Sequence, residues 1–330
     1  MVKIANLNLP GNIVLSPMAG ITDAPFRHIA RLYKADYTIS EMISSKIELW
    51  QSSKTRYRLQ DNYNQNSFKI TQIAGGTPKM IAEAAIKCEE FGSDILEINM
   101  GCPAKKVCNV LAGSALLRDE KLVKNILTKA AESVSIPVTL KTRLGWDHSN
   151  YNILSIAKIA EDVGIKAITI HGRTRFDMYN GEASYDLIKA VKQNLTIPVF
   201  ANGDITSPEK AKYVLEYTNA DGIYIGRASL GKPWIFSQIK DYLATGIYQD
   251  DTHYLNLQLL TLHLNLLYEH YGEFMGTKIA KKHIKWYFKN LAKKSNQLEL
   301  ALSEFNLSES MNQQIDIVSD IFAFSQMSLG

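Results

Sequence analysis

Eight short β-branched or apolar runs, each followed by a stretch of helical character, predict an α/β chain folded as a (β/α)8 TIM barrel. The runs lie at 13–15, 37–39, 68–73, 95–98, 137–140, 167–170, 198–201 and 222–225, spaced by roughly 25 to 40 residues. A second observation favours closure over an open doubly wound sheet: every run ends in a polar, charged or glycine-bearing turn. In a barrel these exits meet on one rim, the face where barrel enzymes keep their chemistry. The third observation is that strand–helix alternation stops after about residue 240 and long helical stretches take over. The expected organisation is a catalytic barrel over 1–244 and an all-helical domain over 245–330.

Taken in order, the first run leads into Ser16-Pro17-Met18-Ala19-Gly20 and the second into Glu41-Met42. The third ends around Gln72, and the fourth leads into Asn99 and Cys102. The remaining exits carry Lys141 with Arg143, His171 with Arg173, Asn202-Gly203-Asp204, and Gly226-Arg227. Among the connecting helices, 207–217 opens on Thr206-Ser207-Pro208-Glu209, which combines an N-cap candidate, a first-turn proline and an early acid. The last two exits, with Gly203, Gly226 and Arg227, match the usual barrel phosphate site of backbone N–H groups and a guanidinium. No G-x-G-x-x-G stretch is present, so a mononucleotide such as FMN is expected rather than a dinucleotide held in a Rossmann half.

At 330 residues and 46% hydrophobic, the chain can bury a large core. Its three cysteines, Cys88, Cys102 and Cys108, form neither a disulfide framework nor a paired metal-ligand pattern, so no metal site is expected and the compartment reads as reducing. No run approaches the ~18 apolar residues of a membrane span, and the N-terminus has no targeting pattern. A cytoplasmic protein is expected, with no membrane association and no obligate protein partner.

Cys102 follows a buried-looking strand in Asn99-Met100-Gly101-Cys102-Pro103. Gly101 is expected to let the backbone turn sharply and Pro103 to stiffen the exit, so that the sulfur is presented from a fixed position. Beyond residue 255, Lys278, Lys281, Lys282, Lys285 and Lys289 recur at helical spacing, with Ala280, Ile284, Tyr287 and Leu291 on the other face. Residues 271–294 hold seven lysines and one acid, whereas 295–330 hold five acids and neither lysine nor arginine. A stripe of one sign, with few acids to pair it, suits a phosphate backbone.

Several segments together resemble the signature blocks of the tRNA-dihydrouridine synthases. They run from Ser16 to Arg27 and through Asn99-Met100-Gly101-Cys102-Pro103, Lys141-Thr142-Arg143-Leu144-Gly145, His171-Gly172-Arg173-Thr174 and Asn202-Gly203-Asp204-Ile205. The run from Gly101 to Lys106 and the block Ala112-Gly113-Ser114-Ala115-Leu116 resemble the bacterial B-type members most. The likeness extends over nearly the whole chain, in the family's order and spacing. One departure is Cys108-Asn109-Val110-Leu111, where family members often carry a basic residue before the Ala-Gly pair.

The resemblance implies an FMN-dependent reductase that saturates the C5–C6 bond of a tRNA uridine, with NADPH as co-substrate, and favours uridine 17 of the D-loop. Cys102 is then the general acid that protonates C5, since an ordinary thiol is mostly protonated at neutral pH yet labile. Lys141 is implied at the N1/O2 edge of the flavin, His171 beside flavin or uracil, Gln72 at the flavin's pyrimidine edge, and Pro17, Met18 and Ala19 along the ring. Asn202, Gly203, Asp204, Gly226 and Arg227 are expected to hold the ribityl chain and phosphate. Asn99, Arg143 and Arg173 are expected to read the uracil, and Lys278, Lys281, Lys282 and Lys285 to grip the tRNA. A barrel oxidoreductase for a free pyrimidine would share the flavin residues but has no use for the lysine stripe.

Overall fold

The computed structural model describes residues 2–61, 63, 67–291 and 296–327. Eleven strands occur among them: β1 (Val2–Ile4), β2 (Leu7–Leu9), β3 (Ile13–Leu15), β4 (Tyr37–Thr38), β5 (Ile43–Ser44), β6 (Ile70–Ala74), β7 (Ile95–Met100), β8 (Val138–Arg143), β9 (Ile168–His171), β10 (Val199–Asn202) and β11 (Gly222–Ile225). β3 to β11 form one parallel sheet in the order β4-β3-β11-β10-β9-β8-β7-β6-β5. Its two edges belong to a single run of chain, 37–44, and a parallel bridge between Ile39 and Ile70 joins them, so the sheet closes into a barrel. The run expected at 37–39 is thus one barrel strand interrupted at 40–42. There the Ser40 hydroxyl accepts the Gln72 N–H at 3.0 Å, and Glu41 turns to the Gly20 N–H.

The helices outside the barrel obey local rules. Asp23, Thr77, Asp119 and Ser207 each accept a backbone N–H three residues on, capping Ala24–Leu32, Pro78–Glu90, Glu120–Ser133 and Pro208–Thr218. Their apolar stripes and the outward residues of the strands form the largest core cluster. The β1–β2 hairpin, which sequence patterning did not anticipate, adds Val2, Ile4 and Leu9 to the inward residues Val14, Tyr37, Ile39, Ile70, Ile95, Ala167, Phe200 and Tyr224. That cluster fills the N-terminal half of the barrel with apolar side chains and leaves the C-terminal half for polar ones.

The C-terminal region is helical, as expected: Leu257–Leu291, Asn296–Leu307 and Met311–Met327. The first is two helices merged across a kink at Gly272, whose φ of 72° a glycine adopts without strain. Ala280, Ile284 and Tyr287 are buried as the stripe predicts, with Leu260, Leu264, Leu267, Phe288, Phe305 and Val318. The side chain of Leu291, and Lys293 and Lys294 entirely, lie outside the described residues. Ile29 and Trp234 of the barrel join the same cluster, so the helical region packs on the barrel through apolar contact. No described helix is long and apolar enough to cross a membrane.

Gly231 marks the closest approach. Its φ is 63°, and a Cβ there would lie 2.2 Å from the Trp286 carbonyl carbon and 2.4 Å from the Tyr287 nitrogen. Gly231→Ala is expected to cost about 2–4 kcal/mol, from left-handed backbone strain plus overlap with a backbone that cannot give. Gly92→Ala, at φ 74° with nothing near the added carbon, should cost only about 1 kcal/mol. Urea melts of the two variants check this, and equal losses would refute the overlap.

Candidate active site

Side chains alternate across a strand, and the register carries one parity around the barrel. Asn99 pairs with Lys141, Lys141 with Thr169, Arg143 with His171, His171 with Asn202, and Asn202 with Tyr224. Paired residues share a face, so Glu97, Asn99, Lys141, Arg143, His171 and Asn202 all enter the same end of the barrel. The structure thereby brings together the residues singled out at the exits of strands four to seven.

Cys102 is half-buried at the edge of this group. Its turn is shaped by the Asn99 side chain, whose Oδ1 accepts the N–H groups of Gly101 at 3.1 Å and Cys102 at 3.0 Å. Gly101 does not adopt a left-handed conformation, so the sharp backbone turn expected of it is replaced by this side-chain bond. Ser114 clamps the far side, donating from Oγ to the Cys102 carbonyl at 2.8 Å. Gly113 makes that clamp possible: its φ is 61°, and a Cβ would meet the Cys102 carbonyl oxygen at 2.9 Å. Burial pushes the Cys102 thiol up from its ordinary pKa, against a smaller pull from the Ala104 N–H, so it stays protonated at neutral pH. Cys108 is buried, with its sulfur 3.6 Å from the Cys102 carbonyl.

Lys141 and His171 share one acceptor. Asn202 Oδ1 lies 3.0 Å from Lys141 Nζ and 3.0 Å from His171 Nδ1, and Asn202 Nδ2 donates to the Tyr224 carbonyl at 2.7 Å, which orients the amide. An amide oxygen only accepts, so His171 Nδ1 carries the hydrogen and Nε2 presents a lone pair. Burial, then the cations Arg143 and Lys141, hold His171 well below its usual pKa, so the ring is neutral. Burial brings Lys141 down to about 8, opposed mainly by Glu97. Glu97, fully buried, is pushed up to about 7 by burial, offset by Lys141, Gln72 and Tyr224.

Gln72 lies within β6 rather than past its end, with its amide between Glu97 Oε1 at 2.6 Å and Asn99 Nδ2 at 2.9 Å. Arg143 and Arg173 are both buried and bonded to the loops. Arg143 donates to the carbonyls of Gly101, Thr174 and Met178 at 2.7, 2.8 and 2.8 Å. Arg173 donates to those of Asn180 and Gly181 and forms an ion pair with Asp204. Asp204 also pairs with Arg227 at 2.9 Å, and its φ of 47° follows that of Gly203 at 123°. Gly226 faces Met18, whose Sδ would lie 3.7 Å from a Cβ there, so the first and last strand exits meet. Pro17 and Met18 are half-buried and Ala19 exposed, on a loop tied by the Thr22 N–H to the Met18 carbonyl at 3.0 Å.

Lys278, Lys285 and Lys289 are exposed and Lys281 partly so, as the stripe predicts. Lys282 departs from it: its Nζ donates to the Gly20 carbonyl on the loop after β3, in a half-buried position. Sequence reasoning missed Glu97, Tyr179 and Tyr224. Glu97 interrupts an apolar strand at the same parity as Asn99, which was the available signal. Tyr179, half-exposed, lies 5.5 Å from the Arg143 guanidinium and 5.0 Å from that of Arg227, in the loop after His-Gly-Arg.

These features agree with what comparison finds. The sequence model of the family described as dihydrouridine synthase (Dus) matches residues 14–324. The chain is 51% identical over 292 residues to tRNA-dihydrouridine synthase B of Pseudomonas aeruginosa, covering 88% of each chain. It is 46% identical over 321 residues to tRNA-dihydrouridine synthase B of Vibrio cholerae, covering 97% of this chain and 98% of that one. Among solved structures, histamine dehydrogenase from Rhizobium sp. 4-9 superposes with a TM-score of 0.59 at 13% identity. That match covers 80% of this chain, spans only 50% of the other, and reports a shared fold alone. With the family model and relatives of this identity spanning nearly its whole length, the chain belongs to the dihydrouridine synthase family.

Proposed function

We propose that this protein reduces a D-loop uridine of tRNA to 5,6-dihydrouridine, with FMN as bound cofactor and NADPH as co-substrate. Uridine 17 is the position implied by the B-type resemblance. The observation that carries the reading is a protonated, partly accessible thiol facing a buried ammonium and a neutral imidazole in one barrel mouth. FMN would supply the hydride that adds to C6 of the uracil ring.

The residues present suit that cofactor. Gly226, where an added Cβ would meet nothing nearer than 3.7 Å, leaves backbone approachable beside Arg227, which fits a phosphate, whereas the Ala183 methyl closes the side of Gly203 at 2.8 Å. Asp204 acts at one remove by holding Arg227 and Arg173. Gln72 keeps one amide hydrogen and one lone pair beyond its two internal bonds, enough for a pyrimidine edge. Lys141 offers a positive charge at a buried point, the requirement for stabilising negative charge on a reduced ring. Asn202 fixes the Lys141 ammonium and the His171 ring together, so neither must reorganise. Cys102 delivers the C5 proton from its own side of the uracil, and the Asn99 turn and Ser114 clamp hold that thiol in place. Arg143 and Arg173 support the loops that frame the base, with Tyr179 beside them. The base must leave its stack to reach this depth, and the exposed lysines of the helical region are placed to hold the phosphates meanwhile.

Cys102→Ala is expected to keep its flavin absorbance and to form dihydrouridine in bulk tRNA about 10²–10⁴-fold more slowly. A colourless wild type would sink the flavin reading, and equal activity would remove Cys102 from the acid role. A second expectation concerns pH. The Lys141 ammonium is present below about 8 and lost above it, with Glu97, Arg143 and Cys102 as the charged or titratable groups that set this value. The rate at which NADPH reduces the bound flavin should therefore fall as pH rises through about 8, and Lys141→Arg should abolish that limb. A limb that survives in Lys141→Arg assigns it to another group. Third, Lys278, Lys281 and Lys285 replaced together by alanine should flatten the slope of log K against log salt by about 2–3 for tRNA binding, with flavin content intact. An unchanged slope would move the RNA site elsewhere.

A further inference from the structure

We propose that Glu97 is a positioning residue for proton delivery: its carboxylate anchors, deep in the barrel, a relay of two amides that sets the turn carrying Cys102. This rests on the reading of Cys102 as the acid.

Four buried side chains make the relay. The Tyr224 hydroxyl donates to Glu97 Oε2 at 3.2 Å, and Gln72 Nε2 donates to Glu97 Oε1 at 2.6 Å. Asn99 Nδ2 donates to Gln72 Oε1 at 2.9 Å, and Asn99 Oδ1 accepts the N–H groups of Gly101 and Cys102. Relative exposures are 0% for Glu97, 1% for Gln72, 5% for Tyr224 and 9% for Asn99, so water does not substitute for any link.

The chemistry of each group fixes the direction of the next. Both Glu97 oxygens accept, Oε1 from the Gln72 NH2 and Oε2 from the Tyr224 hydroxyl. That leaves the Gln72 carbonyl for the NH2 of Asn99, and the Asn99 carbonyl for the two backbone donors. Reversing any amide would face donor with donor and acceptor with acceptor in a dry enclosure, leaving both unpaired. The acceptor that folds residues 99–102 is thus specified three bonds away, by an acid on the same strand two residues earlier. The placement of the thiol depends on that turn, and a shift of about 1 Å in a reacting group can cost about a hundredfold in rate.

Two substitutions separate the relay from simple filling of space. Glu97→Met removes both acceptors at similar side-chain length. Glu97→Gln keeps an acceptor facing Gln72 and can turn its own NH2 to the Tyr224 oxygen. Full-length, flavin-loaded enzymes are compared by flavin reduction with NADPH, flavin reoxidation by tRNA, and alkylation of Cys102 by iodoacetamide followed by mass spectrometry, with buried Cys88 and Cys108 as internal controls.

Glu97→Met is expected to keep NADPH reduction within about twofold of Glu97→Gln, to slow reoxidation about a hundredfold, and to raise Cys102 alkylation about fivefold as the turn loosens. Glu97→Gln, which also removes the charge that opposes the downward shift of Lys141, should match wild type in reoxidation and in Cys102 alkylation. Wild-type reoxidation and alkylation in Glu97→Met, or a folded Glu97→Gln as impaired as the methionine variant, overturns the proposal. If Glu97→Met fails to retain flavin, its Cys102 alkylation is compared with flavin-stripped wild type, and equal rates overturn the proposal. Cys102→Ala that is reoxidised as fast as wild type refutes the acid reading itself. An inactive Cys102→Ala beside an unimpaired Glu97→Met refutes only the relay.

Discussion

Strand parity inside a closed parallel barrel is the constraint on which the site depends. Every second residue of β7 to β10 must enter an enclosure with no bulk water, and near the strand ends those residues are polar: Glu97, Asn99, Lys141, Arg143, His171 and Asn202. Buried polar groups must find partners or pay for desolvation, and here they find each other. Asn202 serves Lys141 and His171 together, while Asn99 serves Gln72 and the Cys102 turn. The opposite half of the barrel meets the same constraint with apolar groups, and the β1–β2 hairpin contributes Val2, Ile4 and Leu9 to it.

Burial drives each titratable group towards its neutral form, and the network decides how far it goes. Glu97 and Lys141 sit near enough to restrain each other, leaving them at about 7 and about 8 instead of deeply shifted. At His171 the cations Arg143, Lys141 and Arg173 reinforce burial, against only the Asn202 hydrogen bond. Burial moves Cys102 upward, against the Ala104 N–H, which favours its thiolate. The enclosure therefore sets the cations Lys141 and Arg143 beside one neutral imidazole and one neutral thiol. That set suits a reaction that adds a hydride from one side of a ring and a proton from the other, with charge building transiently between them.

Much of this arrangement was legible in the sequence because it follows local rules. Runs of β-branched residues marked the strands, the residues after them marked the rim, and Ser207 before Pro208 marked a helix start that the structure places there. What escaped depended on partners distant in sequence. Glu97 looked like part of an apolar run because its partners Gln72 and Tyr224 come from other strands. Gly101 suggested a backbone turn, whereas the Asn99 side chain makes it. Lys282 matched the helical spacing of its neighbours, yet it faces Gly20 because the helix lies against the loop after β3. Spacing assigns residues to a face of a helix, but it does not say what that face meets.

The contact at Gly20 joins the two halves of the proposed machinery. Asp23 caps the helix Ala24–Leu32 through the Phe26 N–H at 3.0 Å and accepts from the Tyr271 hydroxyl at 3.2 Å, with His283 Nε2 3.7 Å away. Tyr271 and His283 belong to the helical region, while Asp23 closes the loop that carries Pro17 and Met18. The segment proposed to lie along the flavin is therefore held at Gly20 and at Asp23 by the region that bears the exposed lysines. Lys281 and Lys285 stand within one turn of Lys282 on the same helix, so a phosphate gripped there would be referenced to the barrel rim through the short contact of Lys282 with Gly20. A flexible tether would let the RNA bind without registering its base over the ring. The packing of Gly231 against the backbone of Trp286 and Tyr287 removes that freedom, because neither side has a side chain able to yield.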